Sequence, residues 1–302
     1  MHKGYMYQLA LQMREKLYNR YMANALLWNW SGRMLAIYFL LGYMGYTMGF
    51  QKLFFYPIFL IIFGFVCSFL HSKIVMVLCL LLLVAQNYND SPILAACMAL
   101  GGLAICYIMA RGKKETLWLA FIIPILCAFR MYTAVALIGA VTLGYSGIYA
   151  CLSGLGIYVL LQWFMKIQSV VKQENNPLDL FQKCVTGLQE LYGIYMMAGL
   201  IVIVMLLVAW LRRRSYAYAM ESGIGIGGLL FFILSFVGMQ KGWLEGNVIW
   251  LLTETLGSLL LAYAIGFGYL VLDYGAVEYT QFEDEEYYYY VKAVPKVKMK
   301  RK

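Results

Sequence analysis

Residues 116–167 read TLWLAFIIPILCAFRMYTAVALIGAVTLGYSGIYACLSGLGIYVLLQWFMKI. The tract is apolar almost throughout. It is broken only by Arg130, by Gly144-Tyr145-Ser146-Gly147 and by Ser153-Gly154. Its length fits two long helices or three short ones, and that choice decides on which side of a membrane the later basic segments fall.

The rest of the chain makes a membrane the relevant solvent. Of 302 residues, 63% are hydrophobic and 13% charged, and the mean hydropathy is +0.71. Soluble domains carry about half apolar and a quarter charged residues. The composition therefore excludes an ordinary soluble globule, a disordered chain and a disulfide-stapled secreted fold. Apolar runs fall at 34–50, 53–70, 74–88, 91–110, 116–131, 133–150, 152–167, 194–211, 222–240 and 248–272. Several are shorter than the ~20 residues of a typical spanning helix, and tilted hairpin arms or partly sunk helices covered by neighbours are expected among them. Gln51 and Lys52 alone join the first two runs, which makes those two antiparallel neighbours.

The distribution of Lys and Arg favours three helices in the central tract. With three, there are ten spans, and 18 of the 24 basic residues share the side of both termini. With two, there are nine spans and the division falls to 13 against 10. The positive-inside rule prefers the first arrangement and makes both termini cytoplasmic. The seven tryptophans fall near proposed span ends, as an interfacial belt requires. The net charge of +9 is explained by this orientation rather than by nucleic acid. The expected fold is an all-α, polytopic integral membrane helix bundle of about ten spans. Its segments are a cytoplasmic amphipathic N-terminal helix (1–33), a first bundle of about seven short spans (34–167), an external loop (168–193), three further spans (194–272) and a cytoplasmic tail (273–302). The compact loops point to a plasma (bacterial inner) membrane.

Two charges interrupt apolar segments. Arg130 lies in Leu126-Cys-Ala-Phe-Arg-Met-Tyr-Thr133 and Glu254 in Trp250-Leu-Leu-Thr-Glu-Thr-Leu-Gly257. A charge deep in hydrocarbon costs at least ~2.5 kcal/mol, so it needs a partner or a route to the surface. Counting residues along each helix places both in the outer leaflet. The expectation is an ion pair between them, with Thr253 and Thr255 supplying hydrogen bonds, or for Arg130 a reach to the headgroups. Pro57 and Pro124 should kink their segments or mark their starts. Gly45 with Gly49, and Gly223 with Gly227, form GxxxG pairs that allow close helix packing within the chain or between copies. In the external loop, Leu178, Phe181, Val185, Leu188 and Leu191 are expected to line one face of a surface helix.

The seven cysteines show no CxxC pair and the two histidines stand apart, so neither a metal site nor a cofactor is implied. No acid–base pair or nucleophile relay can be assembled either, which points away from an enzyme. The tail is the most distinctive segment: Phe282, Glu283, Asp284, Glu285 and Glu286 precede Tyr287, Tyr288, Tyr289 and Tyr290, and a basic end follows. Its charges are segregated in blocks, and Tyr287–Val291 has high strand propensity. Such a strip suits docking to a protein partner at the cytoplasmic face. The leading expectation is thus a non-enzymatic membrane subunit of a cell-envelope assembly or transport complex. A permease with a polar path near Arg130 and Glu254 is the alternative.

Overall fold

A computed structural model describes residues 2–48, 57–113, 117–171, 177–214, 216, 218–244, 246–269, 278–283 and 288–293. Among the described residues twelve α-helices run in order: α1 (His2–Ala23), α2 (Ala25–Met48), α3 (Pro57–Phe69), α4 (Ser72–Asp90), α5 (Pro92–Ala110), α6 (Leu119–Ala128), α7 (Tyr132–Leu143), α8 (Ile148–Val171), α9 (Pro177–Gln189), α10 (Tyr192–Leu211), α11 (Ala219–Gln240) and α12 (Val248–Gly268). A hairpin follows, in which β1 (Glu278–Glu283) pairs antiparallel with β2 (Tyr288–Ala293).

Among the described residues, five apolar helical stretches have the length and composition to cross a membrane: Pro92–Ala110, Tyr132–Ile167, Tyr192–Leu211, Ala219–Gln240 and Val248–Gly268. Large apolar side chains stand exposed along them, among them Leu100 at 69%, Leu229 at 62% and Leu260 at 73%. Faces of this kind along long helices need an apolar surrounding. The second stretch is not one rod. The hydroxyls of Tyr132 and Tyr158 lie 3.2 Å apart, so the chain doubles back between them. The reversal is a 3₁₀ turn over Gly144–Gly147, with Gly144 at φ +58. Within this tract α8, at 24 residues, is the arm long enough to cross.

The central tract therefore forms three helices, and two of them are short. α6 has 10 residues and α7 has 12. At ~1.5 Å per residue they extend roughly 15 and 18 Å, about half the ~30 Å of a hydrocarbon core. The runs 116–131 and 133–150, expected as spans, are thus half-length arms of one hairpin. The cause is a helix stop between them. The Met131 N–H donates to Leu126 O and the Arg130 N–H to Cys127 O, with Arg130 at φ +58. This is the Schellman pattern that ends a helix and reverses the chain.

Pro124 sits inside α6 and Pro57 opens α3. Pro124 has no N–H to offer Ala120, and the freed Ala120 carbonyl lies against Gly154 of α8. A Cβ at Gly154 would come within 2.9 Å of that oxygen, so glycine is what lets α6 and α8 approach so closely.

Two apolar clusters flank α8. One joins Ile37, Leu40 and Met44 of α2 to Val75, Met76 and Cys79 of α4, Leu94 and Ile105 of α5, and Trp163 of α8. The other joins Leu137 and Val141 of α7 to Val204 and Val208 of α10, Ile224 and Phe231 of α11, and Ala262 of α12. α9 lies on α8, where the indole N–H of Trp163 donates to Cys184 O at 2.9 Å. Leu180 and Cys184 of α9 and Leu191 just past its end are buried, Phe181, Val185 and Leu188 are exposed, and the side chain of Leu178 lies outside the described residues. The face expected from spacing is therefore split between packing and surface. Burial, with the Cys97 thiol beside it, pushes the Cys184 thiol up to about 11.

Arginines gather at one end of the bundle, hereafter the basic end. There Arg33 lies over Trp118, Arg213 over Tyr145 and Arg214 over Trp210. At this same end Lys73 of α4 donates to Ala110 O, the last residue of α5. The opposite end carries α9 and the α11–α12 connection.

Candidate functional site

The site grows from the problem posed by α7. A helix leaves its first N–H groups and its last carbonyls without partners. A full-length span places those groups at the membrane surfaces, where water reaches them. α7 is half that length: its C-terminus comes to the basic end, but its N-terminus starts among buried neighbours, so side chains from other helices must satisfy it.

They come from neighbouring helices. At the N-terminus, the Glu254 carboxylate of α12 accepts the Thr133 N–H at 2.7 Å, the Thr133 hydroxyl at 2.8 Å and the Ser258 hydroxyl at 3.2 Å. At the C-terminus, the Arg212 guanidinium donates to the carbonyls of Ala140 and Val141. An anion at the N-terminus and a cation at the C-terminus both follow the helix dipole. Glu254 is only 9% exposed, so its bonds replace solvation rather than compete with it.

Above the tip of the α6–α7 hairpin lies a cavity of about 630 Å³. It extends from the α9 end of the bundle to Arg130 and Glu254. The floor is at the level of Tyr158, roughly 15 Å along α8 from its start at the basic end. Polar lining comes from Arg130, Tyr132, Tyr158, Gln162 and Glu254, and apolar lining from residues such as Leu155 and Met197. Gln162 donates its amide to the Tyr43 hydroxyl at 3.2 Å. At the mouth, Lys166 and Glu190 form an ion pair at 3.7 Å, with the side chains 46% and 69% exposed.

Arg130 and Glu254 thus line one cavity, but the expected ion pair between them does not form. Glu254 is taken up instead by Thr133 of α7 and by Ser258. The Arg130 guanidinium has no hydrogen bond or ion pair to a described residue, and its side chain is exposed to the cavity. Thr253 and Thr255 turn back onto their own helix, donating to Trp250 O and Leu252 O. The residues that reasoning from sequence missed are Thr133, Ser258 and Arg212. Thr133 follows the Arg130 interruption by three residues, which is the one local sign of a helix start there.

Of the glycine pairs, Gly223 and Gly227 lie against α10, where a Cβ on Gly227 would overlap Val208. Gly45 is buried, and Gly49 lies outside the described residues. In the tail, Phe282 pairs in register with Tyr289, Glu283 with Tyr288 and Gln281 with Tyr290. Asp284, Glu285, Glu286 and Tyr287 lie outside the described residues. Among the described residues no group of three or more His, Cys, Asp or Glu is placed to hold a metal ion. Comparison with known proteins returned no matching family model, no matching curated protein and no matching solved structure.

Proposed function

We propose that the chain is a permease: a multi-pass plasma-membrane protein that takes a small solute into the cavity above the α6–α7 hairpin and passes it across. The observation that carries this reading is the polar cavity itself, which reaches the middle of the bundle between half-length helices. Irregular backbone at mid-depth is tolerated where it lines a cavity, and discontinuous helices commonly form solute sites there. The orientation argued from basic residues completes the proposal. About ten helical segments thread the bilayer, with α6 and α7 entering and leaving on one side. Both termini and the basic end are cytoplasmic, and the cavity opens to the exterior.

A second reading keeps the tail as a docking element for a cytoplasmic protein. The β1–β2 hairpin favours it, because a two-stranded sheet is marginal alone and offers edges for strand addition. The two readings are separable. The full chain and a form truncated at Asp273 would be reconstituted in vesicles and tested for flux of labelled organic acids, amino acids and sugars. Flux of a solute by both forms supports the permease. If neither form moves any solute, while the full chain alone captures a defined cytoplasmic protein, the docking reading replaces it.

A further inference from the structure

The cavity carries more information than its presence, and resting on the permease reading, we infer that its ligand is a small organic anion, a carboxylate with an apolar or aromatic body held by Arg130. The first support is the state of each charged group in the lining. Lys166 and Glu190 oppose each other at the mouth. The Glu254 carboxylate accepts three hydrogen bonds and faces the N-terminus of α7. The Arg130 guanidinium is left at the floor with no hydrogen bond or ion pair to a described residue. A guanidinium offers a planar fork of donors that matches a carboxylate in bidentate fashion.

The second support is the backbone that presents it. Arg130 holds φ +58 at the turn position that glycine favours, because a Cβ there is strained. A turn that served only to reverse the chain would be better made with glycine. A strained non-glycine residue at the floor of a cavity is the kind of outlier from which a functional role is argued. The third support is the rest of the lining. Tyr132, Tyr158, Trp243 and Trp250 offer ring faces and edges, and Leu155 and Met197 offer apolar surface. The volume lies within the range of small-molecule sites.

The test uses three probes of one shape and different charge: phenylacetate, phenylacetamide and phenethylamine. Purified full-length wild type, Arg130→Gly and Arg130→Lys would be assayed by calorimetric binding and thermal unfolding. Wild type should bind phenylacetate about tenfold or more tighter than either analogue. Arg130→Gly should unfold, without ligand, at the wild-type temperature or higher, yet bind phenylacetate about tenfold or more weaker. Arg130→Lys should fall between them, keeping the charge and losing the fork. Equal binding of the amide or the amine overturns the inference, and so does unchanged phenylacetate binding by a folded Arg130→Gly. A wild type stabilised by neither phenylacetate, acetate, butyrate nor inorganic phosphate also overturns it. In that case flux of a neutral or cationic solute in the vesicle assay would leave the permease standing, whereas no flux of any solute would remove both.

Discussion

The two halves of the bundle are made from similarly apolar sequence and solve opposite problems. In the α2–α5 half, α3 and α4 and then α4 and α5 are joined by tight turns, the second at Ser91, and the interior is filled by Ile37, Leu40, Val75 and Leu94. In the α7, α10–α12 half, a half-length helix begins among its neighbours and ends at the basic end, with Glu254 on its first N–H groups and Arg212 on its last carbonyls. The difference teaches that the intramembrane charges follow from helix length. Had α6 and α7 run on past Arg130, they would occupy the volume that is now cavity, and no carboxylate would be needed at mid-depth. Burying a polar group without partners costs several kcal/mol, so half-helix and caps stand or fall together.

The largest expected effect lies in the dry half. Leu40 is fully buried, and Leu40→Ala should cost about 2–5 kcal/mol of unfolding free energy through lost transfer and a cavity. It should leave solute binding unchanged. Chemical unfolding in mild detergent measures the first, and calorimetric binding the second. A loss of binding equal to that of an Arg130 variant would show that the halves do not act separately.

Next comes the cap. Glu254→Ala removes three accepted hydrogen bonds and strands the Thr133 N–H and hydroxyl. Bonds to a charged partner are worth about 1.5–3 kcal/mol in soluble proteins, whereas polar pairs in membrane helices average about 0.6. Three such bonds in a nearly closed site put the expected loss at about 2 kcal/mol. Thr133→Val, which keeps the backbone donor and deletes the hydroxyl, should lose about 1 kcal/mol or less. Both are read by the same unfolding experiment. A neutral Glu254→Ala would break the argument that α7 depends on its neighbour for an N-terminal cap.

Much of the architecture is legible in the sequence because it depends on composition over a span-length window. The ten apolar runs each carry a helix, and the strand propensity of Tyr287–Val291 surfaces as β2, whose partner β1 is close in sequence. That some short runs are hairpin arms is legible from their length, but that α6 and α7 are the ones is not, because an apolar residue looks the same in a half helix and a full one. What shortens them is a left-handed Arg130, and nothing about an arginine announces that conformation. The Glu254–Thr133 contact is hidden for a different reason, since its partners are 121 residues apart in the chain. Spacing puts Glu254 and Arg130 in the outer leaflet, and the structure sets both against one cavity. Pairing them was the natural guess for two opposite charges, but the helix N-terminus is a second anion acceptor that only the reversal of the chain reveals. Arg212 was legible as a topology signal, and its role on the last carbonyls of α7 required knowing where α7 ends.

The smallest expected effect concerns the mouth of the cavity, where the polar half meets solvent. The Lys166–Glu190 pair is exposed on both sides, so it should contribute at most about 0.2–1 kcal/mol to stability. Glu190→Gln should therefore unfold within about that margin of wild type. Its consequence should appear in binding instead, because removing one negative charge from the mouth shifts the potential toward anions. If the floor site takes an anion, phenylacetate affinity should rise about two- to threefold at low ionic strength and return to wild type as salt is added, since exposed charges are screened over ~10 Å at 0.1 M. A fall in affinity, or a rise that ignores salt, would mean that Glu190 touches the ligand rather than shaping its approach. The line between a rim that steers and a floor that holds would then have to be moved outward from Arg130.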